Sequence, residues 1–405
     1  MRNFVKKFSV IVLIGCLITG CTSVDNDSVD SYLGFDIPKD SLDTFISTKM
    51  AEYKIPGISI AIINEGKVVY HKTQGYANAE EKSPITEQTI FEGASISKPV
   101  FGFFVMTFVE EGILDLDKPL YEYMEYPDIA HDERYKKITT RMALCHQTGF
   151  QNWREDDEDN ILKIQFEPGT DYFYSGEGYQ YITQVLKHIL NTDDKGLEAE
   201  FQKRIGKPIG LEHTVYVQDD YTRKHKAEPY DENNNWVDWK NNYWFKKENN
   251  IFSAPASLHS EPIDFSKWMI AVMNEEILSE ESYTELLKPH SKVPYDDFDV
   301  RYTLGFTNIQ IPFTDIYCHG GNNIGFTSWF LLDTEKDWGY ILFTNSEYGE
   351  QLGQDMFFYL LADPGSTKLY ITIGVLSILL ILVIVFLVKR IIRRIRKRKN
   401  QKIRV

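Results

Sequence analysis

The stretch Phe91-Glu92-Gly93-Ala94-Ser95-Ile96-Ser97-Lys98-Pro99-Val100 decides how this chain is read. It places a serine and a lysine three residues apart at the start of an apolar run. One helical turn rises about 5.4 Å, so residues i and i+3 share a face. The Lys98 amine can then sit beside the Ser95 hydroxyl. A serine is a poor nucleophile until a neighbouring base takes its proton. A lysine can be that base when burial or a nearby cation lowers its pKa. The amino terminus of the helix adds oriented N–H groups suited to a developing oxyanion. Taken alone the four residues are a weak signal. Serine and lysine are common, and a helix cap followed by a solvated lysine reads the same way.

Working outward, the helix expected after Ser95 carries Phe101, Phe104, Val105, Phe108 and Val109 as an apolar stripe, and Gly112 stops it. Upstream, Leu42 to Tyr53 reads as a helix. Ile58 to Ile63 and Lys67 to Thr73 read as a hairpin around Asn64-Glu65-Gly66. Downstream, Asp315–His319, Thr327–Leu332 and Tyr340–Phe343 are short extended runs, and a helix near 349–361 closes the body. A hairpin at the start and strands at the end predict one antiparallel sheet flanked by terminal helices. The segment from about 80 to 300 is expected to be a mostly helical insert. The class is therefore α+β.

The 405 residues, 43% hydrophobic and 14% aromatic, are enough for a large core. Charge is unevenly placed. Residues 22–366 hold all 59 acidic residues and 30 of the 44 basic ones, a formal −29. So acidic a body argues against nucleic-acid binding.

Both ends carry membrane signals. Arg2, Lys6 and Lys7 precede an apolar Phe8–Gly20, as in an export signal over 1–21. Its end, Leu17-Ile18-Thr19-Gly20-Cys21, resembles a bacterial lipobox with Cys21 as the lipidated residue; an ordinary signal or an uncleaved anchor is the alternative. Residues 22–36 are polar and acidic and read as a tether to a domain over 37–365. Leu369 to Val388 is a 20-residue apolar run, the length of a transmembrane helix. Ten Lys and Arg follow in 389–405, which the positive-inside rule places in the cytoplasm. The tail suits anionic membrane lipid, and the body is then extracytoplasmic.

Cys145 and Cys318 are the body's cysteines. One disulfide is conceivable, but free buried thiols are expected. No metal-ligand spacing occurs, and no cofactor is implied. The segment 229–252 carries Trp236, Trp239, Tyr243, Trp244 and Phe245, read either as a pocket wall or as a loop pinned by its aromatics. No G-x-S-x-G elbow, Walker loop or H-E-x-x-H is present.

Several segments in order resemble the serine β-lactamase and penicillin-binding-protein superfamily, above all its class C β-lactamase, D-alanyl-D-alanine carboxypeptidase and esterase branch. They are Ile55-Pro56-Gly57, Asn64-Glu65-Gly66-Lys67, Gly112 to Asp117, His146-Gln147-Thr148-Gly149, Pro168-Gly169-Thr170 and Asn345. The resemblance implies Ser95 as nucleophile with Lys98 beside it. It implies Tyr174, in Tyr174-Ser175-Gly176, as the tyrosine that moves the serine proton. His319-Gly320-Gly321 takes the place of the usual Lys-Thr-Gly strand, and the backbone N–H groups of Ser95 and Asn322 form the oxyanion hole. Two departures matter. Gly176 replaces an asparagine that contacts the substrate amide, and His319 replaces a lysine that contacts its carboxylate. Both weaken the case for β-lactams. His146 reads as architectural. The favoured reading is a membrane-anchored serine hydrolase acting through an acyl-enzyme on an ester or amide, its substrate a small molecule or a peptide of cell-wall origin. A carboxypeptidase or β-lactamase, and an acylatable sensor without turnover, are the alternatives. Whether Lys98 or Tyr174 is the working base stays open.

Overall fold

Two cores, one on each face of a nine-stranded antiparallel sheet, follow from the alternation in Ile58-Ser59-Ile60-Ala61-Ile62-Ile63. The computed structural model describes residues 27–238, 251–294, 299–311, 314–361 and 373–390, apart from 385 and 387. The strands are β1 (Ser28–Asp30), β2 (Asp36–Pro38), β3 (Gly57–Asn64), β4 (Lys67–Asn78), β5 (Ser83–Pro84), β6 (Phe91–Glu92) and β7 (His259–Ser260). They continue as β8 (Ser291–Lys292), β9 (Val300–Tyr302), β10 (Thr307–Ile311), β11 (Thr314–Asn323), β12 (Phe326–Asp333) and β13 (Trp338–Thr344). The large sheet runs β5-β4-β3-β13-β12-β11-β10-β9-β8. The expected joining of early hairpin and late strands is the β3–β13 ladder, with Ile60 opposite Leu342.

Every residue of β3 is buried. Its successive side chains point to opposite faces. Ile58, Ile60 and Ile62 pack with Leu42, Ile46, Leu352 and Met356 of the terminal helices Lys39–Tyr53 and Gly349–Leu361. Ala61 and Ile63 join the other core, with Phe104 of the Ser97–Glu110 helix and Trp268 of the Pro262–Met273 helix. Each large side chain so buried contributes roughly 1.5–3 kcal/mol of transfer free energy.

The Ser97–Glu110 helix is buried almost all round rather than along one stripe. That is the pattern of a central core helix. Its Gly102 permits the closest approach: a Cβ there would lie 2.0 Å from the Leu304 carbonyl oxygen. Gly112, at φ +67°, ends the run as expected.

One expectation is corrected. From Ser28 onward the polar stretch is not a tether but a hairpin, β1 against β2. Val29, Tyr32 and Ile37 are buried, and the Tyr32 hydroxyl donates to Asp333 at 2.8 Å. These three side chains among the acids are enough to dock it, so the packed domain begins before residue 37. Three strands, β8 to β10, also extend the sheet near the end of the segment expected to be helical. The same segment carries the long Gly176–Leu190 helix.

Residues 1–21, with Cys21, lie outside the described residues. At the other end, the helix Ile373–Arg390 has 18 residues, a mean hydropathy of 2.6 over its apolar window and no burial against the body. By length and composition it can cross a membrane. Cys145 and Cys318 are both free and buried.

Candidate active site

Ser95 lies in one turn of 3-10 helix, Ala94–Ile96, that runs directly into the Ser97–Glu110 helix. Ala94 has φ +48°, a left-handed conformation that disfavours a residue with a Cβ. Strain of this kind persists only where the surroundings impose it, and it clusters at functional sites. The two serines of the motif separate cleanly. Ser97 is fully buried; its hydroxyl donates to the Ala94 carbonyl at 2.5 Å and accepts from the Leu258 N–H at 3.0 Å. It staples the turn. Ser95 is half-buried and lines the pocket.

Lys98 is buried, with Nζ 3.1 Å from Ser95 Oγ and 3.0 Å from the Pro255 carbonyl oxygen. Burial alone holds its pKa well below the usual lysine range. Nζ donates to both the Ser95 hydroxyl and the Pro255 carbonyl, and loss of its proton would leave a lone pair facing the Ser95 O–H. The half-buried Tyr174 side chain neighbours Ser95, and its ring lies 4.6 Å from Lys98 Nζ. Desolvation raises the Tyr174 pKa, only partly countered by the neighbouring Ser95, so the phenol keeps its proton at neutral pH.

His146 shows how the Tyr174 loop is held. The Phe173 N–H donates to the His146 carbonyl at 2.9 Å, and the Ser175 N–H donates to His146 Nδ1 at 3.0 Å. The residues on both sides of Tyr174 are thus tied to one histidine. Ser175 then caps the next helix, accepting from the Gly178 N–H at 3.2 Å.

The glycines of β11 have separate reasons. A Cβ at Gly320 would strike the Trp329 ring at 2.8 Å. One at Gly321 would lie 2.3 Å from the Gly93 carbonyl oxygen and 2.9 Å from the Ser95 nitrogen. The strand edge and the Ser95 turn therefore run side by side, as the oxyanion-hole expectation requires. Gly321→Ala is expected to push them apart and lower kcat by about 100-fold, measured on a chromogenic ester; a kcat within threefold of wild type would contradict this geometry.

His319 departs from expectation. Its ring is buried; Nδ1 donates to the Gly320 carbonyl at 2.6 Å, and Nε2 accepts from the Tyr302 hydroxyl at 2.9 Å. Both nitrogens are engaged within the protein, so it does not offer a donor to a substrate carboxylate. Desolvation, reinforced by Lys98, pushes its pKa down to about 3. His146 and His259 are also held far below the usual range, chiefly by burial. Between pH 6.5 and about 3 the unfolded chain binds a proton that the native His319 ring refuses, and His146 and His259 act in the same direction. Stability is then present above pH 6.5 and lost as pH falls, by about 1.4 kcal/mol per pH unit for each neutral ring. Urea unfolding at pH 7 and pH 5 is expected to show this loss; equal midpoints would refute it.

The cavity in front of Ser95 has a volume of about 350 Å³. Asn322 lines it, its side chain donating to Glu347 at 3.0 Å. Sequence reasoning missed three other elements: Trp153, Tyr216, and the Glu92–His259–Asn323 floor. Trp153 takes the space a side chain at Gly176 would fill, since a Cβ there would lie 2.8 Å from the indole. Of the aromatic-rich segment, Trp236 is 39% exposed and donates to Glu228, Ile251 lines the cavity, and Phe252 stacks on Tyr216 at 4.3 Å. Trp239, Tyr243, Trp244 and Phe245 lie outside the described residues.

A helix that presents a serine beside a buried lysine, against the edge of an antiparallel sheet, defines a hydrolase of the serine type. Residues 42–362 match the Beta-lactamase family, and the chain belongs to it. It is similar to Protein flp of Staphylococcus aureus (strain MW2), at 22% identity over 77% of this chain and 64% of that protein. It thus spans about two thirds of that relative's length. A D-aminopeptidase of Gluconobacter oxydans is 25% identical over 43% of this chain and 35% of its own. Among solved structures, an octameric penicillin-binding protein homologue from Pyrococcus abyssi superposes with a TM-score of 0.64, at 23% identity over 78% of this chain and 77% of its own. The D-amino acid amidase of Ochrobactrum anthropi SV3, complexed with L-phenylalanine amide, also gives 0.64, at 19% identity over 80% and 98%. These two likenesses bear on the fold.

Proposed function

We propose that the chain is a membrane-anchored, extracytoplasmic hydrolase in which Ser95 is the nucleophile, Lys98 its base and Tyr174 the acid. The observation that carries this reading is the 3.1 Å approach of a buried, desolvated amine to the Ser95 hydroxyl. Lys98 takes the Ser95 proton as Oγ attacks the carbonyl carbon. The carbonyl oxygen, now negative, lies between the backbone N–H groups of Ser95 and Asn322. Tyr174, protonated and beside Ser95, gives a proton to the leaving alcohol or amine. Water then attacks the acyl carbon; the Tyr174 phenolate takes the water proton, and protonated Lys98 returns a proton to Ser95 Oγ as it leaves, so the acid is released and all three side chains are restored. The apolar helix at 373–390 and the basic tail support the anchor.

Among the described residues lining the cavity there is no lysine or arginine, while Glu92, Glu155 and Asp156 are acidic. With His319 turned inward, a substrate carboxylate meets no cation there. This favours neutral or amine-bearing esters and amides. The relatives named D-aminopeptidase and D-amino acid amidase add D-amino-acid amides to the substrates to test. Full-length protein is expected to hydrolyse neutral p-nitrophenyl esters or D-amino-acid amides with kcat/KM at least about tenfold above a carboxylate-bearing chromogenic cephalosporin. A cephalosporin as the best substrate would return the reading to a β-lactamase.

A further inference from the structure

The cavity floor holds a buried charge that the steps above leave unused. Glu92 stands three residues before Ser95, and its side chain is 3% exposed. One carboxylate oxygen accepts from Lys226 Nζ at 2.5 Å, and the other accepts from Asn323 Nδ2 at 2.5 Å. Lys226 Nζ also lies 3.1 Å from His259 Nε2, and His259 Nδ1 donates to the Ser257 carbonyl at 2.8 Å. Glu92 and His259 face each other across the β6–β7 pair. Asn323 further donates to the Ala256 carbonyl at 3.3 Å.

Buried ion pairs bring little net stability, because desolvating both charges offsets their attraction. What this one does is geometric. Asn323 follows Asn322 at the end of β11, and Glu92 leads into the Gly93-Ala94-Ser95 turn. The carboxylate therefore bridges the two backbone segments that flank the expected oxyanion position. A neighbouring link, the Ser328 hydroxyl donating to the Gly93 carbonyl at 2.6 Å, holds the same turn to β12. We propose that Glu92 is a positioning residue: through Asn323 it fixes the spacing between the backbone N–H groups of Ser95 and Asn322. The proposal rests on the Ser95 acyl-enzyme reading.

A carboxylate is required because both of its oxygens accept. A glutamine that keeps its oxygen on Lys226 sets its NH2 against the Asn323 NH2, donor against donor. Two variants separate the bridge from the ion pair. Glu92→Gln disturbs both, and Asn323→Ala cuts the bridge while leaving the Glu92–Lys226 pair intact. The readouts are kcat and KM on p-nitrophenyl acetate, and the affinity of phenylboronic acid, which forms a tetrahedral adduct on a reactive serine. Each variant is expected to lose about tenfold in kcat and about as much in boronate affinity, with KM within about twofold, less than the loss of a whole oxyanion donor. Should Glu92→Gln fail to fold, Asn323→Ala still decides. Wild-type kcat and boronate affinity in Asn323→Ala would overturn the proposal, as would a change in KM alone. A wild-type protein that neither turns over ester nor binds boronate would instead overturn the Ser95 reading beneath it.

Discussion

Ser95→Ala is expected to lower kcat on a chromogenic ester by about 10⁴-fold or more, with little change in substrate affinity. Removing the attacking atom of a nucleophilic site leaves only binding and the oxyanion donors, which supply a small remnant of the rate. The neighbouring serine is a built-in control. Ser97 is buried and holds the turn through the Ala94 carbonyl and the Leu258 N–H. Ser97→Ala is therefore expected to destabilise the fold first and to touch kcat less. Steady-state kinetics beside a thermal melt separates the two. Equal activity in wild type and Ser95→Ala would remove Ser95 from the chemistry.

Lys98→Met is expected to lower kcat by about 10²- to 10⁴-fold and, at the same time, to raise the melting temperature. The rate falls because general base catalysis is worth about that much. Stability rises for a reason of linkage. In the folded protein burial disfavours the charged amine and lowers its pKa, whereas in the unfolded chain it is protonated up to about pH 10.4. Between the depressed value and that limit the unfolded state binds the extra proton, so Lys98 costs stability at neutral pH and the cost shrinks as pH rises. A methionine of similar shape removes this cost. The opposing changes are a stability–activity trade-off of the kind strained or desolvated sites carry. Loss of both activity and melting temperature would mean that Lys98 serves packing instead.

The parts of the fold that could be read from sequence are those set by short-range pattern. Ile58 to Ile63 with its turn, the three late strands and the Ser97 helix show periodicity over a few residues, and their joining into one sheet followed from their order. Ser95 and Lys98 were legible because i,i+3 on a helix fixes their proximity. His319 was not. Its place on β11 was foreseen, but whether its ring reaches the cavity depends on Tyr302, seventeen residues away, and on the Gly320 carbonyl. Trp153 was hidden for the same reason: it matters through Gly176, and no local rule joins the two. The hairpin at 28–38 was masked by acidic composition, because Tyr32 finds its partners, Asp333 and Leu360, about 300 residues on. Glu92, Lys226, His259 and Asn323 come from four separate segments and meet only in the folded chain.

The most direct measurement is intact-mass and peptide-mass analysis of the full-length protein quenched while it turns over a p-nitrophenyl ester. An acyl group on the peptide that carries Ser95, appearing before steady turnover and absent in Ser95→Ala, is the predicted result. Steady hydrolysis with no acyl adduct, or an adduct on any other residue, would contradict it.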